Sequence, residues 1–127
     1  MNILGLGTDI IEIERIEHAI ARYKDRFLER LFTEKEQAYC QKFGYPAPHF
    51  AARFAAKEAI LKALGTGLKK EWNWRDIEIL NNPEGKPEVF FSPPLKQVFP
   101  GAILLTMSHC RAYATATALY TETSKKF

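Results

Sequence analysis

Two carboxylates and one lysine in this sequence occupy positions suited to phosphate chemistry. Asp9 lies at the end of a glycine-loosened, strand-like segment and is followed by apolar Ile10 and Ile11, where a solvated aspartate is unexpected. Glu58 and Lys62 are one helical turn apart in an alanine-rich segment. Carboxylates from two elements, with lysines beside them, can form a Mg²⁺–phosphate site, because Mg²⁺ takes one or two carboxylates together with water and substrate phosphates. The alternative for Glu58 and Lys62 is an ordinary surface ion pair.

The familiar phosphate and zinc motifs are absent from the sequence. Gly5-Leu6-Gly7 lacks the third glycine of the dinucleotide fingerprint, and Gly85-Lys86-Pro87 lacks the Ser or Thr that follows the lysine of a P-loop. No cluster of Cys and His with zinc-ligand spacing is present. Gly5 and Gly7 are therefore only weak evidence for phosphate binding. The alternative is that they lie in a strand to which another backbone must come close.

Lys57 and His109 each allow a structural and a functional interpretation. Lys57 falls inside the apolar arc of its helix, about 40° from Arg53 at about 100° per residue. A lysine seldom points into a core unless its charge is compensated. Lys57 either extends along the apolar surface to solvent or serves the site, by anchoring the carboxylates or reaching a phosphate. His109 follows Ser108 at a predicted strand end, where most single histidines are structural.

A row of arginines is the second functional signal. Arg15, Arg22 and Arg26 fall within about 40° of one another on the first predicted helix, opposite its apolar stripe. These three residues, called the arginine ridge below, could bind an acidic protein partner. The alternative is a solvated face of mixed charge.

The spacing of apolar residues predicts the elements that carry these groups. Residues 3–9 alternate as a strand, and one apolar stripe with helical spacing then runs from Ile13 to Leu31. Thr33 and Glu36 match a capping box at the start of the next helix. The remaining predicted elements are helices at 33–44, 49–64 (closed by Gly65) and 93–99 (capped by Ser92) and strands at 76–80, 88–91, 103–109 and 112–120. This pattern predicts a single α+β domain over residues 1–127, with a polar, frayed tail from Thr121.

Composition limits the class of protein. The 127 residues are 46% hydrophobic, and their net charge of +3 is too small to indicate nucleic-acid binding. That excess is compatible with an anionic small molecule or an acidic protein. No apolar run approaches the ~20 residues of a membrane span, and residues 1–4 show no secretory signal. Cys40 and Cys110 fit reduced thiols, so we expect a cytoplasmic protein without membrane contact.

Three segments of the chain match sequence blocks that occur together in one family. They are GLGTDIIEIERI (5–16), RFAAKEAILKALGTG (53–67) and SHCRAYATA (108–116), and IEILNNPEGKP (77–87) is similar to the hairpin of the same family. In order, spacing and total length the chain resembles the bacterial holo-[acyl-carrier-protein] synthases, the short 4'-phosphopantetheinyl transferases. The resemblance implies a mostly antiparallel sheet packed against a long central helix. It also implies transfer of 4'-phosphopantetheine from coenzyme A to a serine of apo acyl carrier protein, with release of adenosine 3',5'-bisphosphate.

The same resemblance implies roles for individual residues. Asp9 and Glu58 would bind Mg²⁺ together with the diphosphate of coenzyme A, and Lys62 would contact the phosphates, which makes these three the catalytic group. The further residues expected at coenzyme A are Arg53, Gly65, Thr66, Gly67, Ser108 and His109. Carrier protein would bind at Arg15, Arg22 and Arg26. Members of the family form homotrimers with sites shared between neighbouring subunits.

Several alternatives stay open at this point. The base for the carrier serine is either a metal-held water or Glu58 itself. Two other functions also fit the residues: a different Mg²⁺-dependent hydrolase of nucleotide diphosphates, and a non-catalytic module that binds acidic proteins through the arginines.

Overall fold

The computed structural model describes residues 2–67 and 71–123. In chain order the elements are β1 (Ile3–Glu12), α1 (Ile13–Tyr23), α2 (Asp25–Leu31), α3 (Glu34–Gln41), α4 (Ala47–Leu64), β2 (Ile77–Asn81), β3 (Pro87–Phe91), α5 (Pro93–Val98), β4 (Ala102–His109) and β5 (Tyr113–Thr121), with a 3₁₀ turn at Trp74–Asp76 before β2. Thr121 belongs to β5, so the predicted frayed tail begins too early. The last part of that tail, 124–127, lies outside the described residues.

Two antiparallel sheets and one long helix make up the architecture. β1, β5 and β4 form a three-stranded sheet in that order, and β2 and β3 form a separate hairpin. Asp9 of β1, Ala116 of β5 and Met107 of β4 share one row of the larger sheet. Ala114, Ala116 and Ala118 of β5 are buried under α4, where their small side chains let the helix lie close. The predicted α+β fold, an antiparallel sheet packed against a long helix, is confirmed.

Helix α4 forms much as the sequence predicts. It runs for 18 residues with a proline in its first turn, and it ends at Gly65, which has the left-handed φ of 77° that favours glycine. Apolar residues face in almost every direction, as expected for a helix surrounded by other elements. Its side chains can therefore reach β1, β2 and α2 from one rigid support.

Gly5 and Gly7 allow β1 to approach the backbone of α4. A Cβ on Gly5 would lie 1.7 Å from the carbonyl oxygen of Ala63, and a Cβ on Gly7 would lie 2.0 Å from that of Ala59. No side chain fits at either position, so the structure supports the interpretation as close backbone approach.

The sequence predicts one continuous helix from Ile13 to Leu31, and this prediction is wrong. Lys24 has φ 51° and ψ −126°, and this residue separates α1 from α2. Its N–H donates to Ile20 O, which ends α1, while its carbonyl accepts from Leu28 at the start of α2. A positive φ at a residue with a Cβ costs on the order of 1 kcal/mol. The break is retained because α2 can then bury Leu28 and Leu31 in the core.

Of the two caps that the sequence predicts, one forms and one does not. Thr33 accepts a hydrogen bond from the N–H of Glu36, and the Glu36 carboxylate accepts one from the N–H of Thr33 at 2.9 Å, so the capping box is confirmed. Ser92 precedes α5 but its side chain makes no capping hydrogen bond. Helix α5 instead begins with prolines, which have no N–H to satisfy.

Lys57 is fully buried and pairs with Glu36. Its Nζ donates to Glu36 Oε1 at 2.7 Å, to Leu31 O at 2.7 Å and to Trp74 O at 3.1 Å. An ammonium has three donors, and all three are used here. The expectations that Lys57 reaches solvent, anchors the site carboxylates or contacts a phosphate are therefore wrong, because its charge is compensated inside the core.

None of the helices in the described part of the chain is long and apolar enough to span a lipid bilayer.

Replacing Gly7 by alanine should lower the free energy of unfolding by about 2 kcal/mol, because the new methyl overlaps the α4 backbone. Gly44→Ala is the matched control, since a Cβ there meets nothing within 4 Å. It should change stability by no more than about 0.5 kcal/mol. Urea denaturation measures both variants, and equal stability of the two would contradict the close-approach assignment.

Candidate active site

The contact between β1 and α4 brings Asp9, Glu58 and Lys62 together. Lys62 Nζ lies 3.3 Å from Asp9 Oδ1 and donates to Thr8 O at 2.9 Å. Lys62 thus reaches across to β1 instead of forming the surface pair with Glu58 that was the alternative. Asp9 is half-buried on the α4 side of the sheet, while more than half of the Lys62 side chain, 55%, is exposed. The cluster therefore opens to solvent through its lysine.

The charges of the other two side chains in the cluster act on Glu58. Burial raises the pKa of Glu58, the negative charge of Asp9 raises it further, and Lys62 acts in the opposite direction. Like charges disfavour each other's ionisation when they share a partly buried site. A cation placed between the two carboxylates would remove that repulsion.

The donor set fits a hard divalent cation. Asp9 and Glu58 supply carboxylate oxygens from separate elements, the ligand type that Mg²⁺ prefers. Within residues 2–67 and 71–123, no three His, Cys, Asp or Glu side chains are grouped as a complete metal cage. Such an ion would therefore take its remaining ligands from water and an anionic substrate.

The segment Gly65–Gly67 follows α4 directly after Lys62. Gly65 N–H donates to Lys62 O and Thr66 N–H donates to Leu61 O, both at 3.0 Å, so the helix ends in a tight left-handed turn. Thr66 Oγ1 donates to Gly67 O at 3.1 Å. The predicted nucleotide loop thus lies at the same end of α4 as the lysine.

Ser108 and His109 are not brought to the cluster within one chain. They end β4, which is separated from β1 by β5, a distance of roughly 10 Å between strand axes. The Ser108 side chain shares its row and sheet face with Ile10 on the exposed side of the sheet. A single chain therefore does not place this pair beside Asp9 and Glu58.

His49 is a neighbour of His109 that the sequence did not indicate. Its ring stacks on Phe43 with centroids 3.6 Å apart and meets the His109 ring edge-on at 5.5 Å. Burial lowers the pKa of His49, and the charges of His109 and Arg53 lower it further. The two histidines come from α4 and β4, so no local sequence pattern connects them.

Arg53 points away from the cluster. Its side chain is 2% exposed, with Nε donating to Ile79 O at 3.3 Å and Nη2 donating to Asn81 Oδ1 at 2.6 Å. Arg53 and Glu58 are five positions apart, about 140° around the helix. The arginine therefore holds β2, and within a single chain its position gives no support to the predicted contact with coenzyme A.

The arginines of the predicted ridge are exposed but lie on two helices. Arg15 and Arg22 are on α1, and Arg26 is on α2 beyond the break at Lys24. A cleft of about 390 Å³ on α2 is lined by Tyr23, Arg26, Phe27 and Arg30. Both helices also carry exposed acidic residues, Glu14 and Glu17 on α1 and Asp25 and Glu29 on α2, so the surface around the arginines is of mixed charge, and the residues that line the cleft are its basic part.

Comparisons with known proteins identify the family. A family model described as the 4'-phosphopantetheinyl transferase superfamily matches residues 5–118. A holo-[acyl-carrier-protein] synthase from Protochlamydia amoebophila (strain UWE25) is 54% identical over 118 residues, which cover 92% of this chain and 97% of the relative. The chain belongs to the 4'-phosphopantetheinyl transferase superfamily, as one of its holo-[acyl-carrier-protein] synthases. The resemblance of the three sequence blocks is confirmed.

Solved structures agree with this assignment. The crystal structure of the holo-[acyl-carrier-protein] synthase from Neisseria meningitidis matches with a TM-score of 0.88 at 33% identity, covering 95% of this chain and 100% of that one. A synthase from Bacillus anthracis str. Ames in complex with CoA (3',5'-ADP) matches with a TM-score of 0.82 at 36% identity, covering 95% and 98%.

The raised pKa of Glu58 predicts how its replacement changes stability. The folded chain holds this proton more tightly than the unfolded chain, so ionising Glu58 above its folded pKa costs stability. Glu58→Gln should therefore raise the Tm of the metal-free protein at pH 7, by about 2 °C. The gain should vanish near pH 4, roughly the ordinary pKa of a glutamate.

Thermal unfolding in EDTA across this pH range measures the effect. Glu84→Gln, at an exposed carboxyl in the β2–β3 turn, is the control and should leave Tm unchanged. A loss of stability in Glu58→Gln at pH 7, or a gain that does not depend on pH, would contradict the electrostatic description of the cluster.

Proposed function

We propose that this chain transfers 4'-phosphopantetheine from coenzyme A to a serine of apo acyl carrier protein and releases adenosine 3',5'-bisphosphate. The observation that carries the proposal is the cluster of Asp9, Glu58 and Lys62 at the β1–α4 contact. It occurs in a chain of the holo-[acyl-carrier-protein] synthase family, and the Bacillus anthracis relative is described in complex with CoA. We also propose that its partner is the acyl carrier protein of fatty-acid synthesis and that it acts in the cytoplasm.

The proposed site binds Mg²⁺ through the carboxylates of Asp9 and Glu58. Bound there, the ion would neutralise charge on the diphosphate during transfer. Lys62, whose side chain is exposed beside Asp9, brings a further positive charge within reach of phosphate oxygens. The carrier serine must lose its hydroxyl proton to Glu58 or to a water held beside it, because either group can accept a proton at this place.

Coenzyme A would lie along the end of α4 and meet a second subunit. Gly65, Thr66 and Gly67 are next to Lys62 and offer backbone groups to the nucleotide. Ser108 and His109 are too distant within one chain, so we propose that a neighbouring subunit supplies them. Arg53 would then act through the β2–β3 hairpin that it holds, and not by direct contact.

The outer face of the larger sheet supports a homotrimer. Leu6, Leu119 and Leu104 form one row across its three strands, and Leu6 and Leu104 are 64% and 50% exposed. Leu4 and Ile10 extend this apolar face along β1. Exposed apolar patches of this kind mark interaction surfaces. Ser108 lies on the same face, which would place it at the boundary between subunits.

Carrier protein would bind at Arg15, Arg22 and Arg26. The cleft lined by Arg26 and Arg30 combines positive charge with the aromatic surface of Tyr23 and Phe27. This combination suits an acidic helix that also presents apolar side chains.

Mass spectrometry tests the proposed reaction. Incubation of the protein with coenzyme A, Mg²⁺ and apo carrier should add the mass of one phosphopantetheine to the carrier. Asp9→Ala and Glu58→Ala should each reduce the rate about 100-fold or more, because a metal-held charge contributes several kcal/mol to transfer. Glu84→Ala is the control and should retain activity.

Each of the other outcomes has a definite meaning. Wild-type protein that leaves the carrier unmodified would refute the transferase. Coenzyme A cleaved without carrier would favour the hydrolase, and carrier binding without any chemistry would favour the non-catalytic module. Full activity in either alanine variant would refute the assignment of the metal ligands.

Leu6→Glu tests the shared site, because a carboxylate in the apolar sheet face should prevent assembly. Sedimentation should show trimers for the wild type and monomers for the variant, with transferase activity reduced at least about tenfold. Val98→Glu is the control at an exposed apolar position on α5. Monomers of Leu6→Glu that keep full activity would show that one chain is sufficient.

A further inference from the structure

Helix α2 depends on other elements for its orientation. It has seven residues, too few for a stable helix in isolation. Because of the break at Lys24, α2 does not continue the axis of α1. Yet α2 carries Arg26 and Arg30, the basic residues of the cleft described above. The contacts that orient α2 therefore decide where these arginines lie.

The C-terminal carbonyls of α2 are bound by side chains from three other elements. The last four carbonyls of a helix have no partner within it. Leu28 O accepts from the N–H of Phe32 at 2.9 Å and also from Gln37 Nε2 of α3 at 3.4 Å, while Glu29 O accepts from Arg75 Nη1 of the 3₁₀ turn at 3.1 Å. Leu31 O accepts from Lys57 of α4 at 2.7 Å. Two of these donors are cations, which the negative end of a helix favours.

Lys57 is the fully buried member of this set and has the shortest bond. Its partner Glu36 also accepts from the N–H of Ile79 at 2.8 Å, so the ion pair ties α2 to α3 and β2. Lys57 is adjacent in α4 to Glu58, which faces β1. One turn of α4 thus holds both the end of α2 and a carboxylate of the proposed phosphate site.

We propose that Lys57 is a positioning residue for the carrier protein. By holding the carbonyl of Leu31, it fixes α2 relative to Glu58, so that a carrier bound at Arg26 and Arg30 presents its serine to the phosphate site. This inference rests on the proposed function. Lys57 touches neither substrate, and its loss affects the carrier through the arginines of α2.

The test is a double-mutant cycle on steady-state transfer. Lys57→Met, which removes the ammonium and keeps the chain length, should raise the KM for carrier about tenfold, equivalent to 1.4 kcal/mol. The KM for coenzyme A should stay within about twofold. Arg26→Glu alone should also raise the carrier KM. In that background, adding Lys57→Met should raise the carrier KM by clearly less than tenfold, since one of the two arginines that it positions is already lost.

Leu95→Ala is the control for a general loss of stability, because Leu95 of α5 is buried in a different hydrophobic cluster from Leu28 and Leu31 of α2. It should lower Tm and leave the carrier KM unchanged. Gln37→Met removes a neutral donor to Leu28 O and to Phe32 O from a half-buried position. Gln37→Met should raise the carrier KM about threefold. If Lys57→Met does not fold, a double-mutant cycle of Gln37→Met with Arg26→Glu tests whether the contacts at the end of α2 position its arginines.

The outcomes separate this inference from the proposed function. Three results for Lys57→Met would overturn the positioning role while transfer by the wild type persists. They are an unchanged carrier KM, equal rises in the KM values for carrier and coenzyme A, and an effect that adds fully to that of Arg26→Glu. An unchanged carrier KM in Arg26→Glu would overturn carrier binding on α2, and the inference with it. Absence of transfer by the wild type would overturn the proposed function itself.

Discussion

The site depends on one contact, the approach of β1 to the backbone of α4 at Gly5 and Gly7. A Cβ at either glycine would overlap a carbonyl oxygen of α4, so the two elements are closer than any side chain would allow. At this distance Asp9 and Glu58, 49 positions apart in sequence, lie within each other's electrostatic field. Burial raises the pKa of Glu58 and the negative charge of Asp9 raises it further, and a bound cation would act against both effects.

Helix α4 organises the rest of the molecule by directing charged side chains outward in three directions. Glu58 and Lys62 face β1, Arg53 holds β2, and Lys57 holds the end of α2. Buried charges contribute little net stability, but breaking such a pair leaves an uncompensated charge, so its geometry is strongly enforced. The cluster of Asp9, Glu58 and Lys62, the β2–β3 hairpin and the basic cleft on α2 are therefore all positioned by contacts with one helix.

Local sequence signals predicted the elements well but not the partners of their polar side chains. α4, the Thr33–Glu36 capping box and the β2–β3 hairpin follow from spacing, capping and turn residues within a few positions of each other. The Lys57–Glu36 pair joins residues 21 positions apart, and the break at Lys24 results from burial of α2, so neither has a local signal. Ser108 and His109 show a further limit, since the sequence gives no sign that β5 separates them from Asp9 within one chain.

Anomalous diffraction from crystals grown with coenzyme A and Mn²⁺ would show whether Asp9 and Glu58 bind a divalent ion together, because Mn²⁺ shares the oxygen-ligand preference of Mg²⁺ and scatters anomalously. We expect one ion per site, bound by a carboxylate oxygen of Asp9 and one of Glu58 at about 2.1 Å, with the diphosphate as a further ligand. An ion bound elsewhere, or a diphosphate held by lysines with no ion between Asp9 and Glu58, would contradict this expectation.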